Sequence, residues 1–312
     1  MKAIIKLCDG QHFELPPLFF WDVTLTGGIP CDSFELTCPY QAAMLPLLEK
    51  ANRLTLIDRV PLLEAVVDEY RVVQDGQGRR LELSGRGLLA LLLDNEAEAV
   101  EYLRPTLSEL LRRHAAPCGL SWEPFRELTS SRPYRVRSGS SQWKALADFT
   151  QFAGGFMPRI SGMGRLSAAP WKDDGRRLSL DARLPILKIS WTDRRYNVIS
   201  EVAVIDKTRK ARHRAVNEDF IRRGGACRRV VYTPGRSSSA AMRYTGAYQI
   251  AQSERSARRL TVVLAGKFEA KTGQVLRVTH GGMGIFGDFV LEAWNDRCTG
   301  GEETTTLTLR RL

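Results

Sequence analysis

The side chains that could act as acids, bases, nucleophiles or metal ligands are dispersed along this sequence. The four histidines, at positions 12, 114, 213 and 280, lie beside no GxSxG or HExxH motif. The six cysteines form no CxxC pair and no short Cys/His cluster, which argues against a zinc site and against a disulfide-dense secreted domain. His114 follows two arginines near the end of a predicted helix, where interaction with the helix dipole accounts for it. The sequence therefore predicts no catalytic residue, no metal ligand and no cofactor, and we expect a protein that is not an enzyme.

Two carboxylate pairs are the candidates for glycan hydrolysis, which needs two carboxyl groups facing each other across a cleft. Asp173 and Asp174, and Glu302 and Glu303, lie in turn-like stretches, where we expect them to be solvated. The glycines of the segment SGRG, Gly85 and Gly87, have neither of the common phosphate-loop spacings. We therefore expect them to form a structural turn, at the end of a strand and before a buried leucine helix that starts near residue 88.

A basic segment is the strongest electrostatic feature of the sequence. The net charge is +11, and residues 207–259, which we call the basic segment, contain 14 Lys and Arg but only 3 Asp and Glu, a balance of +11. Nucleic-acid binding usually adds stacking aromatics or a known module, and the aromatics of this segment are scattered without a motif. Arginine also suits protein interfaces, so we favour a protein interface and keep nucleic-acid binding as the alternative. The candidate partner-contact residues are Arg209, Lys210, Arg212, Arg214, Arg222, Arg223, Arg228 and Arg229.

The elements that position these residues follow the order β, then α/β, then β. Short alternating strands with Gly and Pro turns fill residues 1–85 and predict a first small β-barrel. Residues 86–185 form a mixed α/β middle domain, with one helix expected from near Ser140 or Ser141 to Gly154 and Gly155. Residues 186–312 predict a second β-barrel, interrupted by the basic segment. The expected fold class is α+β and β-rich, with two tube-like barrels, and no stretch is apolar enough for a membrane anchor.

Several phrases, in this order along the chain, resemble the baseplate hub proteins of contractile phage tails and related particles, the family also called late control protein D. They are Val66–Tyr70 (VVDEY), Leu83–Arg86 (LSGR), Leu91–Ala97 (LLLDNEA), Ser138–Trp143 (SGSSQW), Val198–Val202 (VISEV) and the Thr-rich end Thr306–Leu309 (TLTL). The resemblance covers nearly the whole length of the chain.

This resemblance implies a structural protein of a virion or tail-like particle, assembled in the cytoplasm of a bacterial host. It implies a homotrimer in which each subunit gives two similar barrels, so that three chains form a pseudo-sixfold ring. The ring would join the tail tube protein to the central spike protein and contact other baseplate proteins. Contact with the tape measure protein and passage of DNA through the ring stay open. A nucleic-acid-binding protein that uses the basic segment is the main alternative, and a cell-wall hydrolase is a weaker one. We also expect the final, Thr-rich strand to be an edge that pairs with a neighbouring subunit.

Overall fold

A computed structural model of the chain describes residues 1–76, 78–130, 132–233, 238–255, 257–279 and 281–312. The amino-terminal part is almost entirely β. Its strands are β1 (Lys2–Leu7), β2 (His12–Glu14), β3 (Phe20–Leu25), β4 (Ser33–Pro39), β5 (Ala51–Asp58), β6 (Val60–Asp75) and β7 (Gly78–Gly87), with a 3-10 turn (Ala42–Met44) and helix α1 (Leu45–Leu48) between β4 and β5.

The middle part contains short elements. They are α2 (Ala90–Asp94), β8 (Val100–Tyr102), α3 (Leu107–Leu110), a π turn (Leu111–Ala115), a 3-10 turn (Ala116–Cys118), β9 (Ser121–Trp122), β10 (Tyr134–Val136), α4 (Gln142–Gly154), β11 (Arg159–Ile160), β12 (Arg165–Ser167) and β13 (Leu178–Leu180).

The carboxy-terminal part returns to β structure. It contains β14 (Ile186–Asp193), β15 (Glu201–Asp206), β16 (Arg212–Val216), α5 (Glu218–Arg222), β17 (Arg228–Thr233), α6 (Ser239–Arg255), β18 (Arg258–Ala265), β19 (Val275–Val278), a 3-10 turn (Gly281–Met283), β20 (Gly287–Thr299) and β21 (Glu302–Arg311). Among the described residues, no helix is both long enough and apolar enough to cross a bilayer.

One large sheet connects the two ends of the chain. Its strand order is β14-β18-β21-β20-β3-β4-β7-β6-β5-β1-β2, with β19 paired to β20 and β13 paired to β19. The two β regions meet where β3 and β20 run antiparallel, with Val23 opposite Asp296. The predicted α+β, β-rich class is confirmed. Two closed barrels are not found among the described residues. β3 and β20 form hydrogen bonds with each other, which joins the two β regions into one continuous sheet, and β14 and β2 remain unpaired edges at its two ends.

Each β region is nevertheless organised around its own core. In β1 the alternation of the strand puts Ala3, Ile5 and Leu7 inside, with Leu54 and Leu56 of β5 beside them. The second core is built in the same way from β18, β20 and β21, around the buried Trp294. The β-rich halves therefore lie side by side, each with an apolar interior.

The middle part has a third core, which is mainly helical. Helix α4 begins where the Ser141 Oγ accepts a hydrogen bond from the Lys144 N–H at 3.1 Å, and it ends at Gly155, whose φ of 72° needs a residue without a side chain. This confirms the predicted helix bounds. Trp143, Leu146 and Phe149 face the core.

The turn predicted at Gly85 and Gly87 is wrong. Strand β7 continues through both glycines to residue 87, and their function is close packing. A Cβ on Gly85 would lie 2.0 Å from the Val66 carbonyl oxygen and 2.7 Å from the Phe34 ring. The leucine segment that follows is largely buried, as predicted, but its helix α2 has only five residues.

The final strand is not an edge strand, which corrects the expectation that it pairs with a neighbouring subunit. β21 lies between β18 and β20, and Leu307 pairs with Val262 on one side and Trp294 on the other. Its backbone is therefore occupied within the chain, and the edge strands of the sheet among the described residues are β14, β2 and β13.

Candidate partner-binding surface

A small α/β unit is inserted between two adjacent strands of the large sheet. Asp193, at the end of β14, is opposite Arg258, at the start of β18, and the Arg194 N–H donates to the Ala257 carbonyl at 2.7 Å. Residues 194–257 leave and re-enter the sheet at this point, and we call them the inserted subdomain. It contains strand β15, so the prediction that residues before 207 belong to the second β region is wrong for this strand.

The inserted subdomain has its own sheet and its own core. The strand order is β16-β15-β17, with β16 antiparallel and β17 parallel to β15. Helix α6 covers one face, on which Val202, Val204 and Met242 are buried. Gly246 allows the helix to approach closely, since a Cβ there would lie 2.7 Å from that of Ala215.

On the opposite face of this sheet the described residues place no helix, and we call it the open face. Residues paired across strands share a face, so the register defines it as three rows: Val216, Glu201 and Arg228; Arg214, Ala203 and Val230; and Arg212, Ile205 and Tyr232. Three of the eight predicted partner-contact residues therefore lie together on one surface.

Glu201 organises the arginines at one end of the open face. Its carboxylate lies 2.9 Å from the Arg214 guanidinium and 3.2 Å from that of Arg228. The hydrogen bond from Arg214, and then the charges of both arginines, hold the pKa of Glu201 below its usual range. Glu201 is therefore ionised at neutral pH and orients two arginines that remain exposed.

The rest of the open face combines a cation with exposed apolar side chains. Arg212 forms no ion pair with any residue that the structure describes. Across the sheet from Arg212 and Arg214, Tyr232 is 59% exposed and Val230 is 47% exposed. Between Arg214 and Val230 the small Ala203 is buried, so the surface is lower at this row, while Ile205 in the next row of the central strand is half-buried.

Two more of the predicted residues lie in the turn between β15 and β16. The carboxylate of the buried Asp206 accepts hydrogen bonds from the backbone N–H groups of Thr208 and Arg209, both at 2.8 Å. Lys210 follows with a φ of 55°. The turn presents Arg209 and Lys210 to solvent at the far end of the subdomain.

The remaining three predicted residues lie elsewhere. Arg222 and Arg223 are at the end of α5, where Arg222 contacts Asp219 and Arg223 lies 3.7 Å from Asp193 and over the Phe220 ring. Arg229 is on the helix-covered side of the sheet. The structure thus distributes the eight cations over four places and does not gather them into one site.

Sequence reasoning missed Glu201, Val230 and Ala203 as parts of the open face. The signal was the alternation in β17, where Arg228, Val230 and Tyr232 share one side. It becomes visible only once the segment is known to be a strand, and the charge count alone did not show that.

The histidine assigned to a helix dipole is instead a buried structural residue. His114 lies between the Tyr102 hydroxyl, 3.1 Å from Nε2, and the Gln142 side chain on Nδ1. Burial lowers the pKa of His114, so the ring is neutral at pH 7 and the dipole explanation, which needs a charged ring, is wrong.

One carboxylate pair also differs from expectation. Asp173 is exposed and is bound by Arg177 at 2.7 Å, as a solvated turn residue can be. Glu303, however, lies in β21 next to the fully buried Asp296, and burial raises the pKa of Glu303. Within the described ranges no three His, Cys, Asp or Glu side chains are grouped as metal ligands.

Comparison with solved structures shows which known proteins share this fold. No protein-family model matches the sequence, and no curated protein matches it. The tail protein from Neisseria meningitidis MC58 is similar over 99% of this chain and 96% of its own, with a TM-score of 0.81 and 18% identity. The 43 kDa tail protein of prophage MuSo2 from Shewanella oneidensis is similar over 100% and 98%, with a TM-score of 0.79 and 13% identity.

A third similar structure comes from a secretion system. The E. coli c3393 protein is a component of the type VI secretion system and is structurally similar to the T4 bacteriophage tail proteins gp27 and gp5. It matches 95% of this chain and 73% of its own, with a TM-score of 0.55 and 9% identity. At these identities the likeness shows the fold, and the chain has the fold of phage tail proteins from end to end. The resemblance inferred from the sequence is thus confirmed at the level of the fold.

Proposed function

We propose that this chain is a structural baseplate hub protein of a contractile tail or tail-like particle. It forms a homotrimeric, pseudo-sixfold ring that joins the tail tube protein to the central spike protein, within a baseplate assembled in the bacterial cytoplasm. The observation that carries the proposal is the fold shared, over nearly the full length of both chains, with two phage tail proteins.

The arrangement of the large sheet supports this function physically. Each chain has two β-rich halves side by side, each with its own core, so three chains would supply six β-rich halves to a ring. These halves are the tube-like units of the proposed ring. A cyclic assembly repeats one contact around the axis and can cover edges that a monomer exposes. The edges available in the described residues are β14, β2 and the short β13, and β14 carries the strongly exposed Leu187.

The alternatives have weaker support. A nucleic-acid-binding protein would need a continuous row of cations along the phosphate backbone, and the cations described here are divided among four places. A hydrolase would need a carboxylate pair across a cleft. Of the two pairs in the sequence, Asp173 and Asp174 lie in a turn where Arg177 binds Asp173, and Glu302 and Glu303 are neighbours on one strand, with Glu302 exposed and Glu303 half-buried.

The solution mass of the purified protein tests the proposal. Light scattering coupled to size exclusion is expected to give about 105 kDa, three times the chain mass of 35.0 kDa, at low and at high salt. Negative-stain images of the same fraction should show a ring with six lobes. A dimer, or a trimer whose images lack a central opening, would contradict the ring. The matched variants Leu187→Glu and Val60→Glu then locate the contact, since both residues are exposed and apolar but only Leu187 is on an edge strand.

A further inference from the structure

The open face of the inserted subdomain is a built surface with two unlike sides. Arg212 and Arg214 project from β16 on one side, and Val230 and Tyr232 project from β17 on the other. The central strand between them has the small, buried Ala203. Since neighbouring strands are about 4.8 Å apart, the two sides are separated by about 10 Å, the width of one polypeptide segment with its side chains.

We propose that this open face binds an acidic amphipathic segment of a partner protein, whose carboxylates meet the arginine side while its apolar side chains cover Val230 and Tyr232. The inference adds a partner to the proposed hub. It rests on the proposed function only in that the partner would be a component of the same particle. The surface itself is complete within one chain.

Charge complementarity identifies an acidic partner. The face carries three arginines and one carboxylate, and that carboxylate already contacts two of the arginines. Arg212 has no ion-pair partner among the described residues. Covering this face with a neutral surface would desolvate Arg212 without a partner and leave a net charge of +2 uncompensated, which is unfavourable, so the occupant must supply carboxylates.

The apolar side distinguishes a polypeptide from a nucleic acid. Val230 cannot stack on a base, and Tyr232 is the one aromatic residue of the face. Single-stranded nucleic acids are usually bound by several stacking aromatics along a basic groove. An exposed tyrosine and valine beside arginines instead match the composition of protein interfaces.

The net charge of the chain argues against a second copy of it as the occupant of the open face. The inserted subdomain contains 14 basic and 5 acidic residues, which leaves 32 basic and 30 acidic residues in the rest of the chain. The rest is therefore also slightly basic, at +2, and offers no acidic surplus. The occupant is more acidic than this chain.

A binding assay on the full-length protein tests the inference. The probe is a fluorescein-labelled random copolymer of glutamate and tyrosine, followed by anisotropy, with unlabelled polyglutamate and a short oligothymidine as competitors. The copolymer is expected to bind and to be displaced less readily by either competitor than by itself. Arg212→Glu and Tyr232→Ala are each expected to weaken binding about tenfold.

Matched controls separate this surface from general charge and exposure. Arg104→Glu reverses an exposed arginine that has no ion pair within the described ranges, and Tyr196→Ala removes a tyrosine that is 66% exposed. Both are expected to bind the copolymer like the parent, and Arg212→Gln should give an intermediate loss. All these sites are exposed, and circular dichroism verifies that each variant is folded.

Three results would overturn the inference. Oligothymidine that competes as well as the copolymer would make the face a nucleic-acid surface. Equal binding by Arg212→Glu, Tyr232→Ala and the parent would place the interaction elsewhere. An Arg212→Glu variant that loses only self-association, by light scattering, would make the occupant a second copy. A monomer that binds the copolymer would refute the hub and leave the inference standing, so the two failures are distinguishable.

Discussion

The indole Nε1 of Trp21 donates a hydrogen bond to Oδ2 of Asp296 at 3.2 Å, and the two residues are 275 positions apart in sequence. Trp21 lies on β3 and Asp296 on β20, the strands through which the two β regions join. Lys267 Nζ is 3.5 Å from the same carboxylate oxygen and also contacts Asp58 of β5. A buried charged cluster therefore lies at the junction of the two halves.

Removal of the cation from this cluster should destabilise the chain strongly. Lys267→Met leaves the fully buried Asp296 and the partly buried Asp58 without their positive partner. Breaking a buried ion pair by removing one partner typically costs about 3 kcal/mol or more in the free energy of unfolding. Urea unfolding followed by tryptophan fluorescence measures the loss.

Lys271→Met is the matched control for this prediction. Lys271 is exposed, lies four residues further along the same segment and forms no ion pair with a described residue. Its replacement should change the free energy of unfolding by less than about 0.5 kcal/mol. Equal stability of the two variants would mean that the cluster does not hold the halves together.

Gly85 should tolerate no side chain, although a turn glycine nine residues earlier in the same hairpin should. A Cβ at Gly85 would overlap the Val66 carbonyl oxygen and the Phe34 ring, so Gly85→Ala must separate β7 from β6. We expect a loss of about 2 to 3 kcal/mol in the free energy of unfolding, as for other overpacked core sites. Thermal unfolding measures it.

Gly76→Ala provides the comparison, because a Cβ at Gly76 would meet nothing within 4 Å. Its melting temperature should be within a few degrees of that of the parent. If Gly85→Ala and Gly76→Ala had the same melting temperature, the close approach of β6 and β7 at residue 85 would be disproved.

The local elements were predictable from sequence because their signals are local. Alternation identified the β structure of residues 1–85 and of the end of the chain, and the Ser141 cap and the terminal glycine identified α4. Strand pairing could not be predicted in the same way. Nothing near Trp21 indicates a partner strand at residues 294–299, so the two β regions were interpreted as separate barrels.

The candidate surface was predictable in charge but not in arrangement. The excess of arginine identified the basic segment correctly as the electropositive part of the chain. Arg228 and Arg229 point to opposite faces of the sheet because β17 is a strand. Glu201, which contacts Arg228, lies outside the basic segment. Which cations act together depends on the register of three strands, and register is a property of the folded sheet.

The burial of His114 should make stability fall in mild acid. The pKa of His114 is lowered by burial in the folded chain, so the unfolded chain, with a histidine pKa of about 6.5, binds the proton first as the pH falls. Stability is then fully present above the unfolded pKa and is lost below it, by at most about 1.4 kcal/mol per pH unit. Urea unfolding at pH 7, 6 and 5 should show this slope, and His114→Asn should reduce it.

His12 is exposed and serves as the control for the pH measurement. His12→Asn should retain the slope of the parent between pH 7 and pH 5. A parent and a His114→Asn variant with identical slopes would show that His114 is protonated as readily in the folded chain as in the unfolded one.

The inserted subdomain should be removable without loss of the large sheet. β14 and β18 are adjacent antiparallel strands, and the Arg194 N–H and the Ala257 carbonyl already form a hydrogen bond between them. Replacement of residues 195–256 by Asn-Gly converts this point into a tight hairpin with a turn that matches strand twist. The subdomain buries its own core under α6, so the excision removes a folded unit together with its own apolar contacts.

We expect the shortened chain to be folded, with a melting temperature within several degrees of that of the parent and an unchanged near-ultraviolet spectrum of Trp294 and its neighbours. It should keep the oligomeric mass of the parent if the ring contact is made by β14 and β2, and it should lose all binding of the glutamate–tyrosine copolymer. A shortened chain that is folded but monomeric would assign subunit contacts to the inserted subdomain. An insoluble or unfolded chain would show that the pairing of β14 with β18 depends on the inserted subdomain and is too weak to form without it.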